Sequence, residues 1–300
     1  MTELKIDFSC KHGIYIKNED GTYTPMDEPY FEAEKVAGGV WKIKSDGDFS
    51  WLIEGEKEAL VIDSGYGAGN IREHAQTLTD KPVKNIANIH YHFDHTANNA
   101  YFECAFMAEE TKEFATIPYP SFDGIKFPRN YRVQIIGEGY VFDLGGRKLE
   151  TLCIPDHTHD GLAFLDREAG ILFSGDEISN GMQRIAGTVE NYHNNMKKLN
   201  DNMDDIKLIC SGFGVFKPDM IPVYLEATER ILNGEEGKEF EMPDFPKFDE
   251  TYEGKKVYLR FRPHPEDMPK HTPEEMKSLR MYEYEGYRIV YRTNRVFNVK

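Results

Sequence analysis

Residues 88–99 read Asn-Ile-His-Tyr-His-Phe-Asp-His-Thr-Ala-Asn-Asn, and no other stretch constrains this chain as much. Four side chains able to bind a metal, His90, His92, Asp94 and His95, fall within six residues. The apolar run Ile86-Ala87-Asn88-Ile89 ahead of them reads as a buried strand, and the Asp-His-Thr-Ala-Asn-Asn segment reads as the opening of a helix. On extended backbone, residues two apart face the same side, so His90 and His92 can place their rings on one ion. Asp94 and His95 come where the chain bends into the helix and can turn toward a second ion. The plain alternative is a polar turn that happens to be rich in histidine. Three of the chain's ten histidines spaced this way around one aspartate weigh against it.

His-Tyr-His-Phe-Asp-His resembles the H-x-H-x-D-H motif of the metallo-β-lactamase-fold hydrolases, a superfamily that includes lactonases and glyoxalase II-type thioesterases. The resemblance implies an α/β (α+β) fold, a four-layer αββα sandwich with ligands at strand ends, here followed by a small C-terminal extension. Three further stretches are similar to the family's motifs. Asp63-Ser64-Gly65 matches its Asp-x-Gly, which implies that Asp63 holds the ligand loop without binding metal itself. Pro155-Asp156-His157 matches the motif in which a histidine past a strand end completes the first site, implying His157 as the partner of His90 and His92. Leu172-Phe173-Ser174-Gly175-Asp176 matches the motif whose aspartate bridges two metals. A carboxylate suits that place, because two oxygens can hold two cations and offset their repulsion. His159 has no counterpart in the family pattern; contact with substrate, metal binding and a hydrogen-bonded loop histidine all remain open for it.

One position breaks the pattern. Where the family has Gly-His-Gly, this chain has Ser211-Gly212-Phe213-Gly214, and Phe213 cannot ligate a metal. The first site (His90, His92, His157, Asp176) is complete in sequence, whereas the second keeps only Asp94, His95 and Asp176. A labile second ion, a replacement ligand from His159, His193, His264 or His271, and a working single-ion site are the three readings.

The rest of the chain is less specific. Its 300 residues, 40% apolar, suffice for one large domain with an appendage. We expect a leader over 1–35 without clear period, a catalytic domain over 36–235, and a linker with a small α/β extension over 236–300. Short strands at 40–43, 50–53 and 59–63 read as a meander, and helices are expected over 70–79, 191–203 and 217–232. Residues 116–132, rich in proline and aromatics, read either as an extended loop over the site or as a plain surface insertion. In the extension we expect a strand over 256–262, a helix over 272–281, and strands within 287–299 turning at Thr293-Asn294. Asp and Glu number 52 against 36 Lys and Arg, a net charge of −16 that disfavours nucleic acid as partner or substrate. The sequence shows no signal-peptide core and no membrane span, so a cytoplasmic setting is the default. Cys10, Cys104, Cys153 and Cys210 are scattered, and Cys153 and Cys210 read as buried reduced thiols.

The expected function is metal-dependent hydrolysis. The resemblance implies one or two zinc ions, or iron or manganese in their place, whose bound hydroxide attacks the carbonyl of a small-molecule ester, lactone, thioester or amide. Asp94 is the expected catalytic residue, orienting that water or accepting its proton. A homo-oligomer is compatible with a leader that reaches a neighbouring subunit. The alternatives are a diiron redox enzyme of the flavodiiron kind and a non-catalytic relative that lost its sixth ligand.

Overall fold

A computed structural model describes residues 4–28, 31–45, 49–242, 250–259 and 270–299. It divides into two compact units, one of residues 1–136, 144–147 and 244–269, the other of 137–143, 148–243 and 270–300.

The first unit is built on a seven-stranded sheet in the order Glu32–Ala37, Val40–Lys44, Phe49–Glu54, Ala59–Ile62, Val83–Ala87, Cys104–Met107, Val133–Ile135. Short turns join its first four strands antiparallel, which is the expected meander. The remaining strands run parallel and need crossovers. These carry helices α1 (Ile71–Gln76), α2 (Phe93–Thr96) and α3 (Glu109–Phe114). Asn70 starts α1 by accepting the Glu73 N–H on its side chain. The central strand Ala59–Ile62 is buried on every residue, as a strand covered on both faces must be. Ile43, Leu52, Ile86, Ala105 and Met107 pack in one cluster with its Val61. The ligand stretch follows strand Val83–Ala87 directly and so lies past the carboxyl end of a parallel strand, where open α/β sheets place their ligands.

The leader is not irregular. It holds strands Ile14–Lys17, Tyr23–Pro25 and Glu32–Ala37, the last forming an edge of the large sheet. Ile14–Lys17 pairs in parallel with Lys255–Leu259, Ile14 opposite Lys256. Strands of three or four residues fixed by partners this remote leave no periodic signal of their own. Residues 260–262 of the expected strand and His264 lie outside the described residues.

The second unit has a six-stranded sheet ordered Val141–Asp143, Lys148–Cys153, Leu162–Asp166, Ile171–Gly175, Leu208–Ser211, Gly214–Phe216. Helices α4 (Val189–Asn200) and α5 (Met220–Leu232) match the expected amphipathic segments within a few residues. They bury Tyr192, Met196, Leu199, Ile221, Tyr224 and Ile231 in one core with Leu152, Leu165 and Ile209.

The chain's last strands join this unit in a second sheet, ordered Met182–Arg184, Tyr287–Arg292, Leu279–Tyr284, Lys238–Glu239, which adds Ile289 and Tyr291 to the same core. Helix α6 is shorter than expected, Pro273–Lys277. Thr272 and Glu275 form its capping box, and the alternating Leu279–Tyr284 takes over as a strand. The hairpin turns at Glu285-Gly286, both in the left-handed region at φ 47° and 82°, not at Thr293-Asn294.

No helix among the described residues is long and apolar enough to cross a membrane. None of the four cysteines forms a disulfide; Cys104 and Cys210 are buried, Cys153 half-buried and Cys10 exposed.

Candidate metal centre

In the first unit, the turn from strand Val83–Ala87 into α2 gathers His90, His92, Asp94 and His95. Ring nitrogens of His90 and His92, and of His90 and His95, lie within 4.8 Å of one another. His95 Nε2 is 3.9 Å from Asp94 Oδ1. His90 and His95 are fully buried.

Asp63 holds this turn from beneath. It is buried, at φ 57°, a left-handed conformation that a non-glycine residue adopts at a cost and that clusters at functional sites. Its Oδ1 accepts the Ile89 N–H at 2.9 Å and its Oδ2 sits 2.9 Å from His95 Nδ1. A carboxylate only accepts, so Nδ1 carries the proton and Nε2 of His95 is the unprotonated nitrogen. The carbonyl of His95 is pinned as well, accepting from the Ser64 N–H, the Ser64 hydroxyl and the Asn88 amide at 2.8, 3.1 and 2.8 Å. The ends of the stretch close on each other: the buried amides of Asn88 and Asn99 exchange hydrogen bonds of 3.1 and 2.8 Å.

The segment 116–132 stays largely without regular structure apart from a short turn at Pro120–Phe122. Phe122, Ile125 and Phe127 anchor it in a buried cluster with Phe93 and Ala97. Tyr119 is thereby brought to the ligand turn, where its hydroxyl donates to Asp94 and its ring stands 6.2 Å from that of His92. Nothing in the sequence singled Tyr119 out, since an aromatic in an irregular loop carries no positional signal.

In the second unit, His157 Nε2 lies 3.7 Å from Asp176 Oδ2. Both residues follow strands of the six-stranded sheet, and the glutamate after Asp176 joins their loops. Glu177 is fully buried, and its Oε2 accepts the backbone N–H groups of Asp156 and His157 at 2.8 and 2.7 Å. Burial, and then the charge of Asp156, push the Glu177 carboxyl well up, against the pull of these N–H donors. Burial likewise pushes Asp156 up to about 7, although it accepts from the Gly187 and Ala186 amides. Gly161 leaves room for this arrangement: a Cβ there would fall 2.2 Å from Glu177 Oε1. Sequence reading passed over Glu177; an acidic residue inside an otherwise apolar strand-end run is the signal that was available.

The other expected positions lie apart from these ligands in their bonding. His159 is exposed. His193 Nδ1 is 3.1 Å from the Thr228 hydroxyl, bridging α4 to α5. His271 Nδ1 lies 3.2 Å from Arg292 Nη2. Phe213 is half exposed at the turn before Gly214–Phe216. That turn is tied to the residue before Asp176: the Gly212 N–H and the Ser211 hydroxyl both donate to the Gly175 carbonyl at 2.9 Å.

His90, with ring nitrogens of both His92 and His95 within 4.8 Å of its own, and His95, oriented by the buried Asp63 carboxylate and 3.9 Å from Asp94, offer nitrogen and oxygen donors that suit a divalent transition metal.

The metallo-beta-lactamase superfamily model matches residues 46–207, and the chain belongs to that family. It is 28% identical over 162 residues to the human acyl-coenzyme A thioesterase MBLAC2, a match covering 44% of this chain and 58% of that protein. The chain thus spans little more than half the length of that relative. It is 24% identical over 234 residues to the atrochrysone carboxyl ACP thioesterase of Aspergillus chevalieri, covering 76% of this chain and 72% of that one. Among solved structures it resembles a metallo-beta-lactamase from Pontibacter korlensis with a TM-score of 0.54 at 16% identity, over 67% of this chain and 99% of that one. The mixed α/β architecture is therefore the metallo-β-lactamase fold.

Proposed function

We propose that this chain is a metal-dependent thioesterase acting on a small acyl thioester, with coenzyme A as the thiol carrier. The observation that carries the reading is the gathering of the His92 and His95 rings about His90, with Asp94 beside His95 and Asp63 fixing the tautomer of His95. The names of the two curated relatives support the thioester. His90, His92, His157 and Asp176 would hold one ion, and Asp94, His95 and Asp176 a second, weaker one, with zinc the metal best suited to imidazole and carboxylate donors. Such an ion, when bound, polarises a carbonyl and acidifies water.

The chain's own residues supply the rest. Asp94 accepts the proton of the attacking water, and Tyr119 orients the Asp94 carboxylate by donating to it. Asp63 keeps His95 in the tautomer whose Nε2 faces the ligand group. We take the setting to be the reducing cytoplasm, in keeping with four cysteines that form no disulfide.

The test pairs metal analysis with a substrate panel. Protein loaded with zinc should hydrolyse an acyl-coenzyme A faster than a matched oxygen ester or lactone. Chelation or His90→Ala should abolish turnover, and re-added zinc should restore only the wild type. Fully loaded protein without thioesterase activity, or turnover by metal-free His90→Ala, overturns the reading.

A further inference from the structure

The sheet that ends the second unit carries a concentration of positive charge that the metal centre does not use. Arg184 ends strand Met182–Arg184 and lies opposite Val290 of the parallel strand Tyr287–Arg292. Residues opposite each other in a parallel pair, and residues two apart on one strand, share a face, so Arg184 and Arg292 project from the same side of this sheet. Arg295 follows in the turn Thr293–Arg295, and His271 Nδ1 reaches to 3.2 Å from Arg292 Nη2.

Among the described residues these cations have little to neutralise them. The Arg184 guanidinium makes no hydrogen bond or ion pair with any described residue. Arg292 Nε is buried and has no hydrogen-bond partner among the described residues. Glu275 is the carboxylate beside the group, 3.6 Å from Arg295 Nη2 and 3.9 Å from His271 Nδ1, and it also accepts the Thr272 N–H that caps α6. Desolvation, and then the neighbouring Arg295, lower Arg292 below the ordinary guanidinium range. In a chain with 52 acidic and 36 basic residues, three arginines with Glu275 as the one described carboxylate beside Arg292 and Arg295 form a local exception.

The group is joined to the ligand loop within the same unit. Arg295 Nη1 donates to the Ala186 carbonyl at 3.2 Å. The Ala186 and Gly187 amides donate to the Asp156 carboxylate at 3.4 and 3.2 Å, and Asp156 precedes His157.

We infer that Arg184, Arg292 and Arg295 form a subsite for the phosphate groups of the thiol carrier, so that one substrate places its thioester at His157 and Asp176 and its phosphates here. Guanidinium forks match the tetrahedral oxygens of a phosphate monoester or diphosphate bidentately, and several together suit a dianion better than a single carboxylate. Coenzyme A carries both kinds of phosphate. The net charge of −16 repels such a molecule from the rest of the surface, which makes a local basic group the place of capture. This inference rests on the thioesterase reading for its choice of carrier.

The experiment compares the same acyl thioester on coenzyme A and on pantetheine, which lacks the phosphates. The wild type, Arg184→Gln and Arg184→Gln/Arg292→Gln are used, all zinc-loaded. Arg184 is exposed, so the single variant keeps the fold. The wild-type KM for acyl-coenzyme A should be about tenfold or more below that for acyl-pantetheine, and the double variant should erase the difference while kcat is unchanged. Equal losses on both substrates, or an unchanged KM for acyl-coenzyme A, overturn the subsite.

Calorimetry with coenzyme A separates this failure from that of the thioesterase reading. If the wild type hydrolyses neither thioester but binds coenzyme A, and the variants do not, the subsite stands and the reaction falls. Coenzyme A binding equally well to wild type and double variant overturns the subsite whatever the activity. Inorganic phosphate that competes as tightly as coenzyme A overturns the carrier assignment in favour of a free-phosphate site.

Discussion

Glu177 Oε2 accepts the backbone N–H groups of Asp156 and His157 together, so the residue after one expected ligand holds the loop of another. Glu177→Ala leaves these buried donors unpaired, at about 1–3 kcal/mol each. The melting temperature should fall by several degrees, and metal affinity by about 10–100-fold, as is typical when support for a ligand is removed. Glu177→Gln keeps one acceptor oxygen and should lose much less of both. Melting curves with chelator competition check this; full metal retention by Glu177→Ala would refute it.

Asp63→Asn should leave the fold intact, since asparagine tolerates the left-handed backbone at this position. Its amide oxygen can still accept the Ile89 N–H, but its NH2 would then oppose the protonated Nδ1 of His95. The ring must change tautomer or move, and metal retention should drop by about 10–100-fold. Nitrogen chemical shifts of the His95 ring and a chelator titration read the two effects separately, and no change in either removes Asp63 from the site.

Phe213 offers the simplest gain of function. It is half exposed on a turn bonded to Gly175, so Phe213→His should change stability by no more than about 0.5 kcal/mol. The wild type should surrender two zinc ions to chelator in separate steps, and the variant should hold the weaker one more tightly. Loss of both ions from the wild type in one step would contradict an incomplete second site.

Tyr119→Phe removes one hydroxyl and keeps the ring, which packs 5.7 Å from Phe93. Metal content should be unchanged. Without the donor on Asp94, kcat should fall by about tenfold with little change in KM. Steady-state rates on an acyl thioester decide it, and an unaltered kcat would remove Tyr119 from the reaction.

Much of this architecture was legible in the sequence because its signals are local. Apolar runs between turn residues marked the meander and the strands leading to His157 and Asp176, whereas His90 and His92 lie in the turn after Val83–Ala87 and not on the strand that alternation suggested. What escaped is what depends on partners far along the chain. Ile14–Lys17 is a strand because Lys255–Leu259 lies beside it. Leu279–Tyr284 alternates weakly after a helix start at Thr272, so the helix was read too long. Tyr119 reaches Asp94 through the anchoring of Phe122 and Phe127 in the aromatic cluster, and Glu177 is recognisable only once the loop amides around it are placed. A sequence shows which side chains can bind metal, but the groups that hold them still are often backbone atoms, which look alike at every position.

The parallel pairing of Ile14–Lys17 with Lys255–Leu259 also bears on how the protein is made. The strand Ile14–Lys17 waits for a partner more than 200 residues further along, and Lys17 waits for Glu250, its ion-pair partner at 2.9 Å. The second unit waits too, since Tyr287–Arg292 lies between Met182–Arg184 and Leu279–Tyr284. Domains usually mature on the ribosome from the amino end onward. Here neither unit can close before its late strands, Lys255–Leu259 and Tyr287–Arg292, are made, so the nascent chain carries open strand edges while the residues between are added.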